Sequence, residues 1–104
     1  MAQVVADRRD IDFVLHEQFN AQELSQHEQY QEFNQKTIDL VVSEARTLAV
    51  KELLPCLKEA DEQGCTFSNG EVKVPDAFHK VFDLFCQGEW IAMCDDPEWG
   101  GQGM

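Results

Sequence analysis

Three histidines and four cysteines are the side chains best suited to metal binding or nucleophilic chemistry, and their spacing argues against both. Cys56, Cys65, Cys86 and Cys94 form no C-x-x-C pair, so the closely spaced ligands of a zinc site are missing. Met1 to Ala6 is followed by Asp7, Arg8, Arg9 and Asp10, which is not the basic-then-apolar order of a secretory signal. The expectation is therefore a cytoplasmic protein with reduced thiols, some of them packed in its core. His16, His27 and His79 lie far apart on charged segments, with no Ser or Cys placed by spacing as a nucleophile. They read as surface histidines.

Two acidic runs and one glycine run invite a ligand and then fail to specify it. Glu59, Asp61, Gln63 and Gly64 resemble the first half of a calcium loop. Position eight would be Thr66 and position twelve Gly70, where such a loop needs an aliphatic residue and a bidentate Glu. Asp95-Asp96 reads as a solvated acidic loop. Gly100-Gly101-Gln102-Gly103 has no strand before it and no helix after it, so it lacks the helix N-terminus that a phosphate cradle uses. It reads as a flexible connection. No catalytic, cofactor-binding or metal-ligating residue follows from these patterns.

The elements behind them are mostly helical. Ile11, Val14, Leu15 and Phe19 follow helical spacing, with Asp10 placed to cap the start. Asn20 to Gln35 is rich in Gln, Glu and Asn and reads as a helical turn or two plus an irregular, solvated connection. Ile38, Val41, Val42, Ala45, Leu48 and Ala49 then make an unbroken apolar stripe, which Asn34 can cap. Leu40, Val50, Leu54 and Leu57 lie off that stripe, so this helix must pack on two sides. Pro55 predicts a kink and Gly64 an end. Thr66-Phe67, Asn69-Gly70, Val72 and Val74 predict a β-hairpin that needs the helices for support. Pro75 and Asp76 open a last helix with Phe78, Val81, Phe82, Phe85 and Cys86 on one face, and Gly88 ends it. The fold class is all-α, a small helical bundle with one minor hairpin.

Length and charge narrow the function. One small domain fits 104 residues. Twenty acidic against eight basic residues give a formal charge of −12. That charge opposes nucleic-acid backbones and anionic membrane surfaces, and no apolar run approaches the length of a membrane span. The glycine-rich end, read as packing on nothing, and the two-sided helix together suggest a part of a longer chain.

Taken together, the segments resemble a known family. A long helix carrying Leu53-Leu54-Pro55 runs into Glu59-Ala60-Asp61-Glu62-Gln63-Gly64. A hairpin, Pro75-Asp76-Ala77-Phe78, Gly88-Glu89-Trp90 and Pro97-Glu98-Trp99-Gly100-Gly101-Gln102-Gly103-Met104 follow. This order resembles the N-terminal helical domain of the acyl-CoA dehydrogenases, and its last eight residues fit that family's P-E-x-G-G-x-G-[LM] signature. Arg9 to Glu17 resembles the extra N-terminal segment of a branch that includes bacterial 3-methylthiopropanoyl-CoA dehydrogenases.

The resemblance implies an extension with short helices over 1–33 and the N-terminal helical domain over 34–104, stopping before a middle β domain. It implies a parent flavoprotein that oxidises acyl-CoA to 2-enoyl-CoA with FAD and passes electrons to an electron-transfer flavoprotein. The catalytic glutamate and the main flavin contacts belong to domains outside this sequence, so no cofactor and no turnover are expected of it. Trp90, Trp99, Gly100, Gly101, Gly103 and Met104 are the positions the resemblance places near substrate. The alternative is a free-standing acidic helical module that binds a partner protein. Loss of the natural cover over Leu40, Val50, Leu54 and Leu57 predicts self-association.

Overall fold

Asp7 opens the first helix: its carboxylate accepts the backbone N–H of Arg9 at 2.8 Å. Asp10, the cap expected from the sequence, instead sits inside the first turn, where a negative charge also suits the helix end. The structure is a computed structural model and describes residues 5–104. Helix α1 (Arg8–Asp12) continues as a π-helical segment (Phe13–Gln18). Asn20, in the left-handed region, ends that path and turns the chain into two short 3-10 segments, Ala21–Gln26 and Glu28–Tyr30.

Helix α2 (Gln35–Leu48) starts at Asn34, whose side chain accepts the Thr37 N–H at 3.0 Å. A π-helical turn (Ala49–Leu53) joins it to α3 (Leu54–Gln63). Pro55 has no N–H to donate. The turn before it widens, with Leu54 N–H bonding to Ala49 O, so the helical path runs through the proline. Gly64 closes α3 at φ +64° with its N–H on Ala60 O.

Strands β1 (Thr66–Ser68) and β2 (Glu71–Lys73) pair antiparallel, Thr66 with Lys73, Phe67 with Val72 and Ser68 with Glu71. Asn69 and Gly70 both have positive φ, the two-residue turn that matches the twist of a hairpin. The hairpin does not lean on the helices as expected: every residue of both strands is exposed. Phe67 and Val72 face each other across the ladder, and this pair supplies local support. Helix α4 (Ala77–Gln87) then packs on α3. Each helix contributes one buried apolar residue, Val81 at 5% exposure and Ala60 at 2%, and Pro75 ahead of α4 is fully buried.

The described chain is thus mostly helical (63%) with a single small hairpin. It is flat, 53 × 42 × 19 Å, with a radius of gyration of 17.2 Å. A folded domain of about 100 residues has a radius near 13 Å. Accessible surface is 8095 Å², against about 6,000 Å² for a compact protein of this mass. No cysteine is packed in a core: Cys56 is half-buried, the other three are exposed, and all four are free. None of the described helices is long and apolar enough to cross a membrane.

Candidate functional site

The glycine-rich end is folded, which corrects its reading as a flexible connection. Asp96 caps a 3-10 turn (Pro97–Trp99) by accepting Glu98 N–H at 2.8 Å, and Gly100 leaves that turn at φ +88°. The chain then doubles back on residues 92–96. Gln102 N–H bonds to Ala92 O at 3.3 Å, Gly103 N–H to Asp95 O at 2.9 Å, and Met104 N–H to Met93 O at 3.1 Å. Gly101 lies against the Asp95 backbone so closely that a Cβ there would collide with the Asp95 carbonyl. Gly103 takes φ +70° beside the Pro97 ring. These glycines serve a tight fold-back in which Met104 is carried onto the helices.

Trp90 is placed from the other side. Its N–H bonds to Phe85 O at 3.1 Å, after Glu89 has taken a positive φ. Its ring covers Gly88, where a Cβ would meet the indole at 2.7 Å. Trp90, Met93 and Met104 meet Leu40 and Val41 of α2 in a depression of about 240 Å³, with Glu44 and Glu89 at its edge. Of the six positions expected near substrate, Trp90 and Met104 share this wall. Gly100, Gly101 and Gly103 shape the loop behind it. Trp99 does not join it, being 80% exposed on the outer side of the turn.

Beyond Met104 lies a groove that sequence spacing did not disclose. Leu15, Leu24, Tyr30 and Phe33 of the N-terminal segment face Ile38, Val41 and Val42 of α2 around an apolar space of about 400 Å³, with Met93 and Met104 closing one side. It opens into a polar mouth of about 540 Å³ lined by Glu28, Glu32 and Asp96, and Tyr30, Phe33 and Met104 line both. Neither lining contains a Lys or Arg. The segment read as wholly solvated therefore has an inner apolar side. Isolated Leu24, Tyr30 and Phe33 were its only signal.

A polar latch fastens this segment to α2. His16 Nε2 lies 2.6 Å from Asp39 Oδ1, and its Nδ1 lies 3.1 Å from Gln22 Oε1. Arg8 donates to Asp12 Oδ1 at 2.8 Å and to Ser43 Oγ at 2.7 Å. Acceptors on both ring nitrogens, first Gln22 and then Asp39, raise the His16 pKa above its ordinary value. His16 is consequently no ordinary surface histidine; its side chain is only 12% exposed. Asp12, His16 and Asp39 stand close enough to share an ion. The direct His16–Asp39 bond and the Arg8 guanidinium, 3.8 Å from Asp39 Oδ1, already take the place a cation would fill.

The groove and the depressions on either side of it do not fit FAD. A dinucleotide pyrophosphate calls for cations or a helix N-terminus, whereas these sites offer carboxylates and hydrocarbon; Arg8, Arg46 and Lys51 line a separate depression of about 370 Å³. No protein-family model, no curated protein and no solved structure matches the chain.

Proposed function

We propose that this chain is the N-terminal helical domain of an FAD-dependent acyl-CoA dehydrogenase, where it walls part of the acyl pocket and packs on the flavin-binding domains of a longer, cytoplasmic parent. The observation that carries this reading is the meeting of Trp90 and Met104 on one apolar depression, brought together by the fold-back of the signature-like run Pro97 to Met104. Apolar side chains at that wall suit an aliphatic acyl group, whose binding follows the area taken from water. The thin core supports the same reading, because such a domain has large surfaces meant for neighbours.

In this proposal the parent oxidises acyl-CoA to 2-enoyl-CoA and delivers electrons to an electron-transfer flavoprotein, while the chain alone holds no flavin and turns nothing over. The decisive experiment is to sequence the reading frame beyond Met104. Continuation into a β-rich and then a second helical segment, with dye reduction by the full product on acyl-CoA esters, is the expected result. A stop codon in intact, expressed genes overturns it, as does stoichiometric flavin on the purified chain.

A second reading, a free-standing acidic interaction module, is favoured by one observation. Leu57 of α3 is 60% exposed, and an apolar side chain left uncovered on a helix suits a partner surface.

A further inference from the structure

We propose that the groove between the N-terminal segment and α2 is a docking site for a basic amphipathic helix of a partner protein, apolar side chains entering the groove and Lys or Arg meeting its acidic mouth. This goes beyond the acyl-CoA dehydrogenase reading, which concerns the Trp90 side of Met104 and does not use the N-terminal wall.

Three features set the chemistry of the occupant. The floor, from Leu15, Leu24, Ile38 and Val42 to Met104, is nearly free of polar atoms and stands open. An unfilled apolar groove of this kind costs free energy for as long as water wets it. At about 400 Å³ it has room for a few side chains from one helix face, while a whole helix, about 10–12 Å across, must lie along its rim. Met93 and Met104 supply unbranched, polarizable side chains that repack around such insertions.

Charge then selects the class. Glu28, Glu32 and Asp96 stand at the mouth with no lining cation. Glu28 and Glu32 are exposed, and their carboxylates accept from no described side chain that fixes them. The whole chain carries −12. A fatty acid, a nucleotide or an anionic lipid surface would bring like charge to this rim. A helix with leucine-type anchors at i, i+3, i+4 and i+7 and lysines flanking them satisfies floor and mouth together.

The test uses the 104-residue chain and a fluorescein-labelled synthetic helix with four Leu anchors and Lys at both ends. Fluorescence anisotropy should show saturable binding with one site, weakening several-fold as salt rises from 50 to about 300 mM as the flanking charges are screened. Glu28→Lys with Glu32→Lys, both exposed and away from the floor, should weaken binding at least about tenfold at low salt, mostly through slower association. Val42→Asp should abolish it. Circular dichroism of each variant checks that helix content is kept, so that loss of binding reports on the groove.

Equal binding of a Glu-flanked peptide overturns the proposal, and so does equal binding of a peptide with its Leu anchors replaced by Ser. Binding of dodecylamine but not of the helix would make the site one for small cationic amphiphiles and also overturn it. Peptide binding that vanishes with rising protein concentration would show a second copy in the groove and do the same. None of these outcomes bears on flavin content or acyl-CoA turnover, so this proposal and the acyl-CoA dehydrogenase reading fail separately.

Discussion

His16 and Asp39 are 23 positions apart in the chain and 2.6 Å apart in space. With Gln22 on the other ring nitrogen, the imidazole joins the π-helical segment, the following 3-10 turn and α2. Asp12 and Arg8 of α1 are the other charged groups at this junction, paired with each other, and Arg8 also reaches Ser43 and Asp39 of α2. Those contacts make His16 a pH-dependent fastening for one wall of the groove.

Its sign follows from the raised pKa. Folding holds the proton more tightly than the unfolded chain, whose histidine titrates near about 6.5. The stabilisation is therefore complete below about pH 6.5 and is lost as pH rises through the higher folded value. Thermal unfolding should show a drop in Tm over that window, absent in His16→Asn. Asp39→Asn should bring the His16 titration, followed by NMR, back down towards that of a free histidine. An unshifted His16 in the wild-type chain would disprove the fastening.

Gly101→Ala is expected to disrupt the fold-back, because the new Cβ meets the Asp95 carbonyl and backbone cannot move aside as a flexible side chain can. Overpacking of this kind costs about 1–3 kcal/mol. Gly100→Ala has open space around its Cβ and suffers only from its φ of +88°, a cost of about 1–2 kcal/mol. The two should differ in kind: Gly101→Ala should blunt the burial of Trp90 and Met104, seen as a red shift in Trp90 emission in a Trp99→Phe background. Gly100→Ala should leave that emission in place.

Asn34→Ala removes the acceptor for Thr37 N–H at the start of the longest helical path in the described chain. A lost N-cap costs about 1 kcal/mol. With so little buried core, that is a large share of the stability, so the change should appear as a clear fall in Tm and in helical ellipticity. Asn34→Asp, which keeps the acceptor and adds a charge suited to the helix N-terminus, should restore both.

Features decided within a few residues were legible in the sequence. Asn34 as a cap, Gly64 as a helix end and Asn69-Gly70 as a hairpin turn depend on local backbone preference, and the structure has all three. Asp7 rather than Asp10 caps α1; the two offer the same short carboxylate three residues apart, and nothing in the local pattern ranks them. The groove was hidden for a different reason. Its walls come from residues 15–33, 38–42, 93 and 104, and the apolar residues of the first wall are too sparse to show a period. The glycine run looks slack in sequence because the collision that demands Gly101 involves Asp95 folded over it, a contact that spacing does not reveal.

The remaining apolar surface leads to a prediction about association. Leu40, Leu57 and Phe82 are each about 60% exposed, and total accessible surface exceeds that of a compact protein of this mass by roughly a third. Hydrophobic contact between copies is therefore favourable, but every encounter brings together two chains of −12. Salt shifts that balance, since the screening length falls from about 30 Å at 0.01 M to about 8 Å at 0.15 M while apolar burial is not weakened. Self-association should therefore increase with sodium chloride, the reverse of an ion-paired dimer, and a hydrophobic dye should bind the monomer at low salt. Leu57→Glu with Phe82→Glu should reduce both signals. Sedimentation showing a strict monomer at high protein and high salt, without dye binding, would mean that these faces are covered within the single chain in solution.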